Sequence, residues 1–540
     1  MTQAFDYIVV GAGSAGCTLA ARLSEDPAIR VLLIEAGGPD RSLWVHMPAG
    51  IDTLLSKPNP FNWFGATEPQ EHLGGRRMYW PTGRGWGGTS SINGMAYIRG
   101  HPEDFDGWAA QGLDEWSYDR VLPYFRRAEG NSRGSSPYHG GSGPLRVSDS
   151  PTWMPMSAAF VAAAEAAGHP HCDDFNGRNP EGFGKLQMTV HRGRRWSTAT
   201  AYLRPALRRP NLAVASHTLA RQLIAEGERI VGVEWLHEGM VSSARAEREV
   251  ILCAGVTRTP QLLLLSGIGA AAQVRQLGVP LLADRPEVGR NLQDHVSVSL
   301  RWSSSAPVSL YLQTQWHHRL ATGLNYLLFR KGLAQGIGVE AYGFMKSDEH
   351  QPRPDLQMAF ANSLLEGDGL DAITMKRHGF GVTLWHLRPE SRGTITLASD
   401  DPADHPLVQP NYFACPAERV ALRKGIRLVR QIITQPPFDP YRGDEVAPGP
   451  AVVSDAEIDA YLVNAASGLF HPVGSARMGC DPDSVVDQHL RVRGVAGLRI
   501  ADASIFPRII SGNTNAATIM VAEKAADLLL GRVEPSRDAP

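Results

Sequence analysis

Cysteines are few in this sequence, and no two of them lie close together. The five that occur are odd in number and widely spaced, and no Cys-x-x-Cys motif is present among Cys17, Cys172, Cys253, Cys415 and Cys480. This spacing excludes a disulfide framework and gives no sign of a zinc site, so we expect no bound metal. The usage suits a reducing compartment, in which free thiols persist.

The sequence also lacks a long hydrophobic run. No stretch of about eighteen residues is continuously apolar, which predicts no transmembrane span. The first core strand is predicted to begin near Phe5 and leaves no room for a signal peptide before it. We therefore expect a cytoplasmic protein, with peripheral contact at the inner membrane left open.

No excess of either charge is present. The 53 basic and 55 acidic residues give a formal net charge of −2. Nothing in the chain is basic enough to predict nucleic-acid binding, because the arginine-rich spots are short. No internal repeat is visible. At 540 residues the chain exceeds one typical hydrophobic core, which predicts a body of two parts.

A nucleotide-binding pattern occupies residues 5–35. An apolar run precedes Gly11, Gly13 and Gly16, and a second apolar run ends at Glu35, nineteen residues after Gly16. In this pattern the glycines allow a tight turn, close approach of a pyrophosphate and close helix packing, in that order. The helix amino terminus attracts phosphate, and the acid accepts hydrogen bonds from ribose hydroxyls. A glycine-rich turn of another α/β protein is the alternative, and the motif alone does not separate FAD from NAD.

A second glycine-rich segment, residues 83–94, lies in a region of poor periodicity that is expected to wrap over the dinucleotide. Its backbone N–H groups can approach a phosphate or a flavin ring closely. Trp86 and Ile92 within the segment favour packing over a flexible linker.

The rest of the chain predicts two kinds of structure. Strands within 212–233, 249–255 and 498–502 are expected to return to the nucleotide sheet, with a helix starting at Thr259 and another over residues 515–530. Between about 303 and 450, strands at 356–361, 382–387 and 394–397 mix with helices at 316–330 and 417–435, which indicates an α+β arrangement with an antiparallel sheet. Residues 534–540 are polar, and we expect them to be disordered.

Four blocks of this sequence resemble the glucose–methanol–choline (GMC) flavoprotein oxidoreductases. The blocks are residues 6–37, GRGWGGTSSIN at 83–93, residues 255–269, and HPVG at 471–474 continuing to 479, joined by residues 502–504 and 512–515. The resemblance runs nearly from end to end. Val256 is a mild departure, since the family usually has a smaller residue there. Within the family the chain looks most like the bacterial acceptor-linked alcohol dehydrogenases and sorbose dehydrogenases.

The resemblance implies an α/β Rossmann-like FAD-binding domain, assembled from segments 1–155, 197–302 and 465–535. Segments 156–196 and 303–464 are expected to form the α+β substrate-binding domain. The cofactor implied is FAD rather than NAD. The reaction implied is oxidation of a small-molecule alcohol to an aldehyde or ketone, with hydride transfer to flavin N5 and electrons passed to a quinone-like acceptor.

Alcohol oxidation needs a base near neutral pKa, and histidine is the natural choice. Eighteen histidines occur, so chemistry alone does not select one. The resemblance places the catalytic histidine at His471. Asn513 matches a family position that holds histidine or asparagine, and it is predicted to hydrogen-bond the substrate oxygen. A helix-capping role for Asn513 is the alternative, and Asn515 is the other candidate cap.

The cofactor-binding residues are predicted from the glycine motif and from the matched blocks. They are Gly11, Gly13, Ser14, Ala15, Gly16, Glu35, Ala36, Gly87, Gly88, Thr89, Asn93, Gly94, Ala254, Gly255, Asp502, Ala503, Asn513 and Thr514. Asp502 is expected to act through its backbone or through water, and a strand-end cap is an equally open role. Some family members attach FAD covalently to a histidine, where this chain has Ile92, so we predict dissociable, non-covalent FAD.

Substrate-contacting residues are less visible in the sequence. Phe470 is predicted to form one wall of the pocket, whereas Trp385 and Phe360 are more often core residues on such strands. No acidic residue is evidently placed to bind a quaternary ammonium, which ranks choline below neutral alcohols, although an aromatic cage can bind such a group.

Other activities stay open at this point. They are an oxygen-using alcohol oxidase, a choline or sorbose dehydrogenase, a hydroxynitrile lyase with structural FAD, and a non-catalytic nucleotide-binding module.

Overall fold

The computed structural model describes residues 3–365 and 375–532. Within these ranges, two seven-stranded sheets dominate the structure, and we call them the nucleotide sheet and the second sheet. In the same ranges no helix has the length and apolar character needed to cross a bilayer. The disorder predicted for residues 534–540 lies outside the described residues.

The nucleotide sheet is built around buried parallel strands. Its path in space is Leu212–Ala215, Val31–Ile34, Gln3–Val10, Met240–Leu252, Arg229–His237 and Leu219–Glu226, with Leu498–Ile500 also paired to Met240–Leu252. The first four strands and Leu498–Ile500 run parallel, and the other two form an antiparallel hairpin. The central strands read as unbroken apolar runs because both of their faces are covered.

The second sheet is antiparallel throughout. Its path is Arg442–Ala447, Val296–Ser304, Gly379–His386, Leu356–Ala361, Val339–Met345 and Gly182–Lys185, with Ser467–Gly468 paired to Val296–Ser304. Short pairings elsewhere involve Gly65–Ala66, Tyr79–Trp80, Glu129–Asn131, Leu145–Asp149, Gln187–Met188, Val190–His191, Arg194–Arg195, Ile268–Gly269, Ala283–Asp284, Thr394–Thr396 and Leu407–Gln409.

Helices cover both sheets, and two of them matter most for the site. The first helix is Ser14–Leu23 and the last helix is Asn515–Leu530, and they pack against each other beside the nucleotide sheet. The other α-helices are Leu43–His46, Ile51–Ser56, Pro102–Ala109, Tyr118–Ala128, Pro155–Ala166, Arg204–Ala206, Gly255–Leu265, Ala271–Gln276, Trp316–Phe329, Pro416–Ile433 and Asp455–Ala465.

Two predicted domain boundaries cut through paired strands. Val296–Ser304 crosses the boundary predicted at 302 and pairs with Gly379–His386 in the second sheet. Ser467–Gly468, inside the predicted segment 465–535, pairs with the start of the same strand. A short apolar run such as 296–300 looks alike in either sheet, so its partner was not visible in the sequence. The division into two domains otherwise remains our proposal.

The helix predicted to begin at Thr259 begins four residues earlier, at Gly255. Proline suits a first helical turn, and this preference placed the predicted start next to Pro260. The Asp502 carboxylate accepts the backbone N–H of Gly255 at 2.8 Å and the hydroxyl of Thr259 at 2.7 Å. The true start is therefore fixed by a side chain that is distant in sequence.

A buried carboxylate holds the helices of the nucleotide domain together. Glu523 of the last helix is fully buried. It accepts hydrogen bonds from Arg22 of the first helix at 2.9 Å, from Arg127 at 2.7 Å and from the Tyr202 hydroxyl at 2.8 Å. Removing one member of such a group leaves the other charges buried without compensation.

We expect Glu523→Gln to destabilise the protein by about 3–5 kcal/mol, the usual effect of breaking a buried ion pair from one side. Thermal unfolding of the purified protein measures the change as a lowered Tm. Glu226→Gln is the matched control, because Glu226 pairs with Arg245 on an exposed hairpin. Equal Tm values for the two variants would contradict the role given to Glu523.

Candidate active site

A cavity of about 490 Å³ runs from the glycine loop, residues 11–16, to His471. Gly11, Gly13 and Glu35 line it near the nucleotide sheet, and His471 and Asn513 line it near the second sheet. Open α/β sheets bind ligands at the carboxyl ends of their strands, where this cavity begins.

Backbone packs directly on backbone at the glycine loop. Gly11 has φ of +101°, and a Cβ on it would lie 2.4 Å from the Cys253 carbonyl oxygen. A Cβ on Gly16 would lie 1.7 Å from the Gly11 carbonyl oxygen. Gly13 differs, because a Cβ there would meet no atom within 4 Å. The first and third glycines thus close the turn, and the second leaves room for a ligand.

The Glu35 carboxylate joins three loops at the edge of the cavity. It accepts the backbone N–H groups of Ala12 at 2.8 Å, Gly37 at 2.7 Å and Gly85 at 2.8 Å. Burial raises the pKa of Glu35, and these three donors oppose that rise. Hydrogen bonds to ribose hydroxyls stay a prediction for Glu35, and the structure adds this structural role.

The second glycine segment, residues 83–94, lies against the glycine loop. The backbone N–H of Gly87 donates to the Ala12 carbonyl at 2.7 Å. A Cβ on Gly88 would lie 2.7 Å from the Gly13 Cα atom. At the end of the segment, the Asn93 side-chain oxygen accepts a hydrogen bond from buried Arg195 at 2.9 Å. These contacts are those of a packed segment, not of a linker.

The first and last helices both start at the cavity. Gly13 precedes the first helix and Thr514 precedes the last helix, and neither helix has a side chain that caps its first turn. The Ser14 hydroxyl donates to the Asn515 side-chain oxygen at 2.7 Å, which ties the two starts together. Unpaired N–H groups and the positive ends of the helix dipoles therefore favour an anionic ligand here.

Asp502 performs the capping role that the sequence left open. Its buried carboxylate accepts the Ser504 backbone N–H at 2.8 Å in addition to its bonds to Gly255 and Thr259. Asp502 also lines the cavity, and a contact with the cofactor through its backbone stays a prediction.

His471 stands in a row of hydrogen bonds. Its Nδ1 atom lies 3.0 Å from Nδ1 of His295, and the Nε2 atom of His295 lies 3.0 Å from the Leu387 carbonyl oxygen. On the other side, the Asn513 amide nitrogen lies 2.9 Å from His471 Nε2. Asn513 therefore faces the histidine rather than capping the last helix, whose cap position is held by Thr514.

The donors in this row assign the hydrogens. A carbonyl oxygen only accepts, so His295 carries its hydrogen on Nε2 and accepts at Nδ1. The hydrogen between the two Nδ1 atoms then belongs to His471. The Nε2 lone pair of His471 accepts from the Asn513 amide and is the basic nitrogen at the cavity.

Burial keeps both rings neutral. It lowers the pKa of His295 to about 4. Burial first, and then the nearby His295, lower the pKa of His471 well below its ordinary value of 6.5. Asp294 fixes the backbone here, because the His471 N–H donates to it at 2.7 Å and the Tyr412 hydroxyl donates to its other oxygen. Burial raises the pKa of Asp294 to about 7.

Comparison with known proteins decides the family. The family model described as GMC oxidoreductase matches residues 5–297 with its amino-terminal part and residues 389–522 with its carboxyl-terminal part. The chain belongs to the GMC oxidoreductase family. This finding confirms the resemblance drawn from the four sequence blocks.

Curated GMC relatives match over almost the whole chain. Human mitochondrial choline dehydrogenase is 44% identical over 537 residues, which cover 98% of this chain and 90% of the relative. The oxygen-dependent choline dehydrogenase of Paraburkholderia xenovorans is 45% identical over 542 residues, covering 99% and 96%.

Solved GMC structures confirm the predicted fold class. Pyridoxine 4-oxidase from Mesorbium loti has a TM-score of 0.88 and 30% identity, covering 97% of this chain and 98% of that one. A formate oxidase variant of Aspergillus oryzae, described for its FAD modification, has a TM-score of 0.91 and 27% identity, covering 98% of each chain.

FAD is the cofactor of this GMC oxidoreductase, and the cavity fits it. Gly13 leaves open space, and two uncapped helix starts supply N–H donors where phosphate and the flavin edge are expected. Ile92 packs in a small apolar cluster with Val45 and Leu54 and has no atom that can bond to a flavin. Non-covalent attachment stays our prediction.

Most residues predicted to form the site line this one cavity. They are Gly11, Gly13, Ser14, Ala15, Glu35, Ala36, Gly88, Thr89, Asn93, Gly94, Ala254, Gly255, His471, Asp502, Ala503, Asn513 and Thr514. Gly16 and Gly87 do not line it and act through backbone packing. Phe470 and Trp385 are cavity residues as well, whereas Phe360 lies in the core.

Several residues near His471 were not foreseen. His295, Asp294 and Tyr412 support it, and Tyr342 lines the cavity next to Asn513. The only sequence signal for the first two was a polar triplet, residues 293–295, placed directly before an apolar strand.

Alanine substitutions separate the two kinds of glycine. We expect Gly16→Ala to disrupt the turn, because its Cβ would overlap the Gly11 carbonyl, and to lower both Tm and FAD content. Gly13→Ala has space for its Cβ on the cavity side, so the folded protein should keep its apo Tm and lose FAD affinity. Flavin absorbance and thermal unfolding of both apoproteins measure this. Identical behaviour of the two variants would contradict the assignment.

His295 is expected to act as a positioning residue for His471. His295→Leu removes the acceptor for the His471 Nδ1 hydrogen, and we expect kcat/KM for alcohol to fall about 10-fold or more, as for a lost buried hydrogen bond. His295→Asn keeps an oxygen acceptor and should restore most of the activity.

The pH profile distinguishes positioning from a merely structural effect. A base must be unprotonated, so the native kcat/KM should fall only when pH drops below 6.5, through the lowered pKa of His471. In His295→Leu this acid limb should move to higher pH, because His295 no longer lowers that pKa. An unmoved limb with a uniformly lowered rate would refute the positioning role.

Proposed function

We propose that this GMC oxidoreductase oxidises a primary alcohol to the aldehyde and passes the electrons to a quinone-like acceptor. The observation that carries the proposal is the His471–Asn513 pair, 2.9 Å apart at the end of the FAD cavity. An accepting nitrogen and a donating amide converge there on the position that a substrate hydroxyl would take.

The residues divide the work between proton removal and charge stabilisation. The substrate hydroxyl donates to His471 Nε2, which takes the proton as general base. The Asn513 amide then donates to the developing alkoxide, as an oxyanion-stabilising group does. Protonated His471 keeps its bond to His295 and places a positive charge beside that alkoxide. FAD, when bound, supplies the acceptor for the hydride that leaves the alcohol carbon.

Charge at the substrate end favours a neutral, apolar alcohol. Among the described residues that line the cavity, the carboxylates are Glu35 and Asp502, and each is occupied by hydrogen bonds near the nucleotide sheet. The walls near His471 include Ile337, Val339 and Leu469. Such a surface suits an aliphatic chain.

Choline is the second candidate. The relatives named choline dehydrogenases support it, and so do aromatic rings in the cavity lining. Trp63, Tyr342, Trp385 and Phe470 line the cavity, and aromatic faces attract quaternary ammonium groups. The oxidase and sorbose dehydrogenase alternatives remain arms of the same experiment.

The test follows the flavin absorbance of the holoenzyme without oxygen. Primary alcohols of increasing chain length, choline and sorbose are added in turn. We expect the aliphatic alcohols to bleach the flavin fastest, and a soluble quinone to restore its colour faster than air does. His471→Ala should bind FAD without bleaching, while His350→Ala, at an exposed histidine, should behave like the native enzyme.

Other outcomes each point to a different activity. Fastest bleaching by choline would replace the proposed substrate, and rapid recovery of colour in air would identify an oxidase. A fully loaded flavin that no alcohol reduces, with native and His471→Ala protein alike, would refute alcohol oxidation and favour the lyase.

A further inference from the structure

The helix Trp316–Phe329 turns apolar side chains toward solvent. Of its fourteen residues only Tyr326 is buried. The exposed apolar residues, which we call the apolar face, are Trp316, Leu320, Leu324, Leu327, Leu328 and Phe329. The exposed fraction reaches 76% at Trp316 and 70% at Leu328. Helices of globular proteins usually bury such a stripe, and a contiguous exposed one marks an interaction surface.

The apolar face has exposed apolar neighbours. The Tyr326 hydroxyl donates to the His46 carbonyl oxygen at 3.4 Å, so this helix lies beside the short helix Leu43–His46. Leu43 and Trp44 of that short helix are also exposed. The apolar area therefore extends beyond a single helix.

Basic residues surround the apolar face. Residues 295–339 contain no aspartate or glutamate, and they include Arg319, Arg330 and Lys331. In the described part of the chain no salt bridge involves these three side chains. Arg330 also lies close enough to Arg194 for its charge to help lower the pKa of Arg194, after burial. The surroundings of the face are thus net positive.

We propose that the apolar face docks on a bilayer of anionic phospholipids. Each Lys or Arg near such a surface adds about 1 kcal/mol, and apolar side chains enter the headgroup boundary beneath them. Tryptophan at the end of the stripe suits that boundary. A second copy of the chain fits less well, because a twofold interface would bring the two basic rims together. A helix of fourteen residues lies on a bilayer rather than spanning it.

The docked face lies near the cavity. The chain leaves the helix through the short turn Leu333–Gln335 and reaches Ile337 and Val339, which line the cavity. A lipid-dissolved alcohol or acceptor would therefore meet the enzyme close to its site. The docking itself does not depend on the proposed reaction.

Vesicle flotation of the FAD-loaded protein tests the proposal. The native protein should float with phosphatidylglycerol–phosphatidylcholine vesicles, float much less with phosphatidylcholine alone, and detach as salt rises. Leu320→Glu/Leu328→Glu should weaken binding about tenfold or more, since it removes apolar area and adds repulsion. Met240→Glu/Val453→Glu is the matched control, at apolar residues that are 63% and 62% exposed on other surfaces. Tm and FAD content of both variants should match the native protein.

Three results would overturn the proposal. They are native protein that does not float with anionic vesicles, flotation that Leu320→Glu/Leu328→Glu leaves unchanged, and equal loss of flotation in the control variant. Sedimentation velocity tests the other occupant. A native dimer that becomes a monomer in Leu320→Glu/Leu328→Glu would assign the face to a second copy of the chain.

Discussion

Contact between backbones at the carboxyl edge of the nucleotide sheet is the constraint on which the cofactor site depends. Gly11 rests on the Cys253 carbonyl and Gly16 on the Gly11 carbonyl, at distances that no Cβ would allow. Gly88 approaches Gly13 in the same way. Three distant segments thus meet without side chains between them, and the Glu35 carboxylate bonds to the N–H groups of the loops that result. The cavity is the space that this packing leaves in front of Gly13.

The opposite end of the cavity follows another rule, in which every hydrogen has an assigned owner. The histidines are neutral because burial disfavours their charged forms, and the Leu387 carbonyl fixes the direction of the hydrogen bonds. A base with a lowered pKa accepts a proton reluctantly. In this arrangement the cost is offset when the alkoxide forms beside the new imidazolium, so the charge pair is favoured only while substrate reacts.

What the sequence could predict is local. The glycine loop, the strand before it and Glu35 lie within about thirty residues, and each demands a particular neighbour in the chain. His471 was predictable from its matched block. His295 lies 176 residues from His471, and nothing near either residue announces the pair. The helix start at Gly255 shows the same limit, because its cap comes from Asp502, and the strand Val296–Ser304 could not reveal which sheet it joins.

The row of hydrogen bonds behind His471 ends at a carbonyl oxygen, which has no hydrogen of its own to pass on. A proton taken up by His471 therefore has no exit through His295 to solvent. It has to leave through the front of the site, along the route that the carbonyl product vacates. Discharge of the proton and departure of the product thus share one doorway, and the base becomes available again only after that doorway has been cleared.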